Sequence, residues 1–212
     1  MDGVIIDSEP IHQQLEFEMF SELELHISDE EHKDYIGTSA IDMWTKIEER
    51  HHLKKSPQEL LSYGRKKYWK SLDNGKVPMV EGALDLIKFF YDHKFLLQVA
   101  SSATRPTVEK VLEHFDLGKY FKFRIGGDEV SKSKPEPEIF IKAAQQSGSK
   151  PENCLVIEDS SNGVKAAKSA GMNCIGYANS GTGNQDLSMA DLVVQNLNEI
   201  TPEVLSAISL SE

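Results

Sequence analysis

An α/β architecture is predicted: a doubly wound parallel sheet whose chain is interrupted by an all-helical insertion. Two observations predict it. From about residue 77 onward, short continuous apolar runs alternate with helical stretches, the pattern of strands covered by helices on both faces. Between about 10 and 72 the pattern is helical throughout and no strand-like run occurs. The sheet domain therefore comprises residues 1–9 and 77–212, and residues 10–76 form the insertion.

In chain order, Pro10 suits the first turn of a helix running through Leu15, Met19 and Leu23. A second helix is predicted over 39–52, after the break at Gly37-Thr38. The third start is the clearest. Ser56-Pro57-Gln58-Glu59 puts serine at the N-cap, proline at the first helical position and glutamate three residues on, a capping box. That helix carries Leu60, Leu61, Tyr68 and Trp69 and ends near Asp73-Asn74-Gly75. Apolar runs at 95–100, 121–125, 154–157, 174–177 and 192–194 are the predicted strands. Helices are predicted over 83–91, 107–115, 137–146 and 163–170, with Gly171 where a helix stop belongs.

The formal charge of −11 argues against a nucleic-acid surface, which needs clustered lysine and arginine. A local positive site for a small anion is still compatible with an acidic chain. The apolar runs are far too short to span a bilayer. No charged-then-apolar leader pattern opens the sequence, so the expected address is the cytoplasm, and a monomer is expected. Cys154 and Cys174 border β-branched runs and read as reduced, buried core thiols. His51 and His52 are adjacent and would point to different sides of a helix, so they do not clamp one ion.

In open α/β sheets, ligands bind beyond the carboxyl ends of the strands. Ser101 and Ser102 follow the run at 95–100, Ser133-Lys134-Pro135 follows that at 121–125, and Glu158-Asp159 follows that at 154–157. Asp2-Gly3-Val4-Ile5-Ile6-Asp7-Ser8-Glu9-Pro10 stands at the start. Hydroxyl, ammonium and carboxylates converging there suit a divalent cation facing a phosphate. The ordinary readings are a turn aspartate before glycine for Asp2, a solvated loop lysine for Lys134, and helix N-caps for Ser101, Glu158 and Asp159.

Four segments in order, DGVIIDSEP, VASS, SKP and VIEDSSNG, resemble the four motifs of the haloacid dehalogenase-like superfamily. The helical insertion between the first and second resembles the cap of the β-phosphoglucomutase-like subfamily, which implies a Rossmann-like core with a helical lid. The resemblance implies that Asp2 is the general acid/base and offers its carbonyl to the metal. It makes Ser101 and Ser102 phosphate-binding groups and Lys134 the neutralising cation, with Glu158 and Asp159 holding Mg²⁺. It also implies substrate-facing roles for His12, Gly37 and Thr38, although His12 equally suits a plain helix surface. The family motif is Asp-x-Asp; with Asp2 as its second acid, the nucleophile falls one residue before Met1. The expectation is an internal methionine taken as the start, with a further apolar strand upstream.

The expected function is a Mg²⁺-dependent phosphatase acting on a small phosphorylated metabolite, a sugar phosphate above all. A phosphomutase is disfavoured by Ala40, where the mutase carries an arginine, and by Ser102-Ala103-Thr104-Arg105 after Ser101. A catalytically dead phospho-ligand-binding protein is the other alternative. The basic run Arg65-Lys66-Lys67 with Lys70 reads as a solvated helix face.

Overall fold

A computed structural model describes residues 1–35 and 40–208. The chain divides into two compact units, Met1–Glu9 with Val77–Glu212, and Pro10–Lys76.

The smaller unit is built on helices α1 (Glu9–Glu22), α2 (Asp29–Lys33), α3 (Ala40–His51) and α4 (Pro57–Asp73). Their apolar faces meet around Met19, Phe20, Trp44, Ile47 and Leu60, with Phe20 set edge-on to Trp44 at 5.8 Å. The capping box at the start of α4 forms as predicted: Ser56 N donates to Glu59 Oε2 at 2.8 Å and Glu59 N to Ser56 Oγ at 3.3 Å. Helix α2 was not expected, because its five residues, DEEHK, hold no apolar period. It is held by its Ser28 cap and by His51, whose Nε2 lies 2.7 Å from Glu31 Oε1. Thus His51 serves a contact between helices.

The larger unit carries strands β1 (Leu97–Ala100), β2 (Phe121–Ile125), β3 (Leu155–Glu158), β4 (Asn173–Tyr177) and β5 (Leu192–Val194). Helices α5 (Ala83–Asp92), α6 (Arg105–His114), α7 (Glu138–Ser147), α8 (Ser161–Ser169) and α9 (Pro202–Ala207) accompany them. In α5 the buried positions Ala83, Leu86, Ile87 and Phe90 follow the helical period, which explains its one-sided burial. On β3 and β4, alternate side chains go to opposite faces. Val156 and Cys174 join the core built with α7 and α8, while Leu155, Ile157 and Ile175 join the core built with α5 and α9. That alternation makes the sheet two-sided, as the apolar runs implied.

All strand pairings are parallel, β1 with β2 and β3–β4–β5 in that order. The sheet is in two hydrogen-bonded pieces, not one. Among the described residues β1 pairs only with β2, and β3 only with β4. Residues of both strands, including Val99, Ala100, Leu155 and Ile157, line a cavity of about 330 Å³ with Met1 and Ile87.

Two boundaries need correction. Phe95 and Leu96 lie before β1 and are each 45% exposed, so the first run is only partly strand. Cys154 precedes β3 and is half-buried; Cys174 is buried, and burial pushes its thiol up to about 12. Both are free thiols. No helix among the described residues is long and apolar enough to cross a membrane.

Ile175 and Leu60 are fully buried, one in each unit. Replacing either with alanine is expected to cost about 3 kcal/mol, read as a lower urea midpoint by circular dichroism.

Candidate active site

The first residues form a tight turn: Ile5 N donates to Met1 O at 2.7 Å and Gly3 N to Ile6 O at 2.8 Å. Two buried hydroxyls aim the Asp2 carboxylate. Ser8 Oγ donates to Oδ1 at 2.8 Å and Ser101 Oγ to Oδ2 at 3.4 Å. Gly3 has φ +70° and presses on Asp159; a Cβ there would lie 1.9 Å from Asp159 Oδ2. Only glycine allows this approach. The buried Asn179 supports the turn from behind, donating through Nδ2 to Gly3 O and accepting from Gly181 N, both at 2.8 Å.

Ser101 continues the β1–β2 pairing through its N–H to Ile125 O at 3.0 Å, which brings its hydroxyl to the end of the strand. Its Oγ also accepts from Ala103 N at 3.1 Å. The N-cap of α6 is Thr104, so Ser101 is not a helix cap. Ser102 is exposed in the same loop. Arg105 is tied down by Glu109, at 2.7 Å from its Nε, and by the Arg124 carbonyl.

Lys134 is not a solvated loop lysine. Its side chain is 8% exposed and pairs with Glu158, donates to Ala100 O at 3.3 Å and lies 4.7 Å from the centre of the Phe140 ring. Glu158 is equally enclosed. Besides Lys134 on Oε1, its Oε2 accepts from Asp159 N, Ser160 N and Ser160 Oγ at 3.2, 3.3 and 3.0 Å. Ser160 is the N-cap of α8, so the cap reading of Glu158 and Asp159 also falls away.

Glu158 and Asp159 are neighbours in sequence with opposite electrostatics. Burial pushes Glu158 up, yet the attraction and hydrogen bond of Lys134 hold it below its ordinary value. Asp159 is pushed up to about 7, first by burial and then by the charge of Glu158. Among the described residues no three His, Cys, Asp or Glu side chains form a ready metal cluster. The Glu158 oxygens are engaged by protein donors, which narrows its expected ligand role. Asp159 remains a buried carboxylate whose charge is opposed by burial and by Glu158, and a hard divalent cation fits that need.

Asp2 bonds to Ser101 and Lys134 to Glu158, and the approach of Gly3 to Asp159 and of Lys134 to Ala100 O joins these pairs within one unit. His12 belongs to the other unit, where its ring stacks on Tyr68 at 4.6 Å. Gly37 and Thr38 lie outside the described residues. In the basic run, Lys67 bridges Glu18 and Glu22 at 3.2 and 2.8 Å, and Arg65 sits over Trp69. Lys67 therefore ties helices together, whereas Lys66 and Lys70 are exposed as expected. Ser8 and Asn179 went unnoticed in the sequence. A hydroxyl beside an acidic motif was a weak signal for Ser8, and nothing local marked Asn179.

Residues 1–177 match the family described as haloacid dehalogenase-like hydrolase. The chain belongs to that family. The chain is 32% identical over 169 residues to a bifunctional riboflavin kinase/FMN phosphatase of Arabidopsis thaliana, covering 79% of this chain but 44% of that protein. It is 28% identical over 210 residues to hexitol phosphatase B of Escherichia coli, covering 97% and 93% of the two chains. Its fold resembles the crystal structure of CbbY from Rhodobacter sphaeroides in complex with phosphate, with a TM-score of 0.84 and 24% identity. That match covers 94% of this chain and 93% of the other.

The raised Asp159 gives a pH signature with a definite sign. Between the ordinary value of 3.8 and about 7, the folded protein keeps a proton that the unfolded chain has lost. Stability present below that window is lost as pH rises through it. The metal-free protein is expected to melt lower at about pH 8 than at about pH 5, and Asp159→Asn to flatten the difference. Thermal unfolding by circular dichroism reads both, and Mg²⁺ should raise the melting temperature of the parent more than that of the variant.

Proposed function

We propose that this chain is a Mg²⁺-dependent phosphatase acting on a small phosphorylated metabolite, a sugar phosphate first among them. One set of contacts supports the reading: Ser101 bonds to Asp2, Gly3 presses on Asp159, and Lys134 bonds to the carbonyl of Ala100 beside Ser101, which joins four separate segments. Phosphoryl transfer requires chiefly alignment and charge neutralisation, and these groups provide both.

Asp2 is the general acid that protonates the departing alkoxide, its carboxyl oriented by Ser8 and Ser101. Such a proton donor is needed for an ester oxygen and superfluous for a halide. Ser101 turns its one O–H from Asp2 to a phosphoryl oxygen when substrate binds, leaving Ser8 to orient Asp2, with exposed Ser102 beside it. Lys134 is held by Glu158 at the same strand ends and neutralises charge as the phosphoryl group moves. Asp159 and the Asp2 carbonyl would hold Mg²⁺, with Glu158 as the acid that sets Lys134 in place. The ion supplies charge neutralisation to the phosphoryl oxygens. The helical unit of residues 10–76 is the cap, and His12, Gly37 and Thr38 are its candidates for substrate contact.

The nucleophile belongs to this reading as an aspartate immediately before Met1, forming an aspartyl-phosphate. The divided sheet supports it. β1 and β3 each leave an edge unpaired among the described residues, and the cavity they line is largely apolar. Gln98 Oε1 is buried without a hydrogen-bond partner on β1. A further parallel strand would pair both edges and end at the carboxyl side, beside Asp2. The tethered Arg105 leaves that side chain unsuited to a second phosphate, which speaks against the mutase.

The test is phosphate release with Mg²⁺ from sugar phosphates, hexitol phosphates, phosphoglycolate and FMN, with and without the genomically encoded upstream residues. The upstream extension is expected to restore turnover, and Asp159→Ala or Lys134→Ala in that protein to lower kcat by about 10³-fold. Equal rates with and without the extension would refute the assigned nucleophile. No release from any ester would refute the phosphatase.

A further inference from the structure

The connection between β2 and α7 runs past both loops assigned to phosphate. Asp128 lies at its start, where its Oδ1 accepts from Arg105 N at 2.6 Å. Arg105 opens α6, and the α6 cap residue Thr104 makes no side-chain capping bond. Asp128 therefore supplies from another segment the acceptor that the helix start lacks. The two segments are also in close backbone contact. Gly127 N donates to Ala103 O at 2.8 Å, and a Cβ on Gly127 would lie 2.3 Å from Ser102 O.

Glu138 lies at the other end, as the first residue of α7. Its carboxylate accepts from Ser131 N at 3.0 and 3.1 Å and from Lys132 N at 2.9 Å, and pairs with Lys142 at 2.8 Å. Lys142, then the backbone N–H groups, hold the Glu138 carboxyl down at about 2, so it stays charged across ordinary pH. Lys142 also donates to Glu129 O at 2.8 Å, and Glu129 Oε2 accepts from Gly126 N at 2.7 Å. The two ends of the connection thus share one network.

We propose that Asp128 and Glu138 are positioning residues, Asp128 latching the loop of Ser101 and Glu138 the loop of Lys134. The assignment rests on the phosphatase reading of those two groups. Neither carboxylate touches the reacting cluster. Glu138 acts two residues before Lys134, where a slack backbone would let the ammonium swing away from Glu158. Asp128 acts one residue beyond the turn that sets Ser101 and Ser102.

The test follows acylation of Lys134 by an amine-reactive ester, read by mass spectrometry, which needs no turnover. Glu138→Asp keeps the charge and suits a first helical turn, but its reach is one methylene short. Glu138→Gln keeps the reach and an acceptor oxygen. Lys134 is expected to react about tenfold faster in Glu138→Asp than in the parent, with Glu138→Gln nearer the parent. Inorganic phosphate with Mg²⁺ should protect Lys134, and Asp128→Ala should need about tenfold more phosphate for the same protection, with Asp128→Asn restoring most of it. Parent-like labelling in Glu138→Asp, or parent-like protection in Asp128→Ala, overturns the corresponding latch. Absence of phosphate protection in the parent counts against the phosphate-binding reading instead, and the Glu138 labelling result stands apart from it.

Discussion

The site rests on one enclosed ion pair. Lys134 and Glu158 bury each other's charge at the carboxyl ends of two strands that do not hydrogen-bond to one another. Lys134 also donates to Ala100 O, the last residue of β1, while Glu158 is the last residue of β3. A single ammonium therefore ties the two pieces of the sheet together at the end where the chemistry is assigned. Taking both charges out of water is costly, and it is offset only because nearly every lone pair of Glu158 meets a donor. Losing either partner would leave the other as an isolated buried charge.

That pair also sets the state of its neighbour. With Glu158 charged and shut in, Asp159 meets both low polarity and a like charge, and its proton affinity rises. Two adjacent acids are thereby driven apart in character, one held below its ordinary value and one raised to about 7. The glycine at position 3 lets the Asp2 turn press against the raised one.

Much of this was legible in the residues. The apolar runs marked β2, β4 and β5 closely, and the SPQE box marked the start of α4 to the residue. Asp2, Ser101, Lys134, Glu158 and Asp159 were visible because each follows or precedes an apolar run, where loop residues at strand ends must lie. Helix α2 was hidden because its stability comes from caps and from His51, not from a periodic apolar face. Ser8 and Asn179 were hidden for a related reason. Each acts through hydrogen bonds across an irregular turn or to a residue distant in sequence, and no periodicity records such a bond.

Local pattern was enough to establish the α/β class, the helical insertion and the identity of the groups at the strand ends. Those features follow from side-chain period and turn chemistry, which are properties of neighbouring residues. Folding in three dimensions settled matters of pairing and enclosure. It engaged Glu158 with Lys134 and three donors, raised the proton affinity of Asp159, tied Arg105 down with Glu109, and split the sheet between β1 and β3. Charge state and hydrogen-bond partner depend on which distant groups share a buried volume, and that is a property of packing, not of order along the chain.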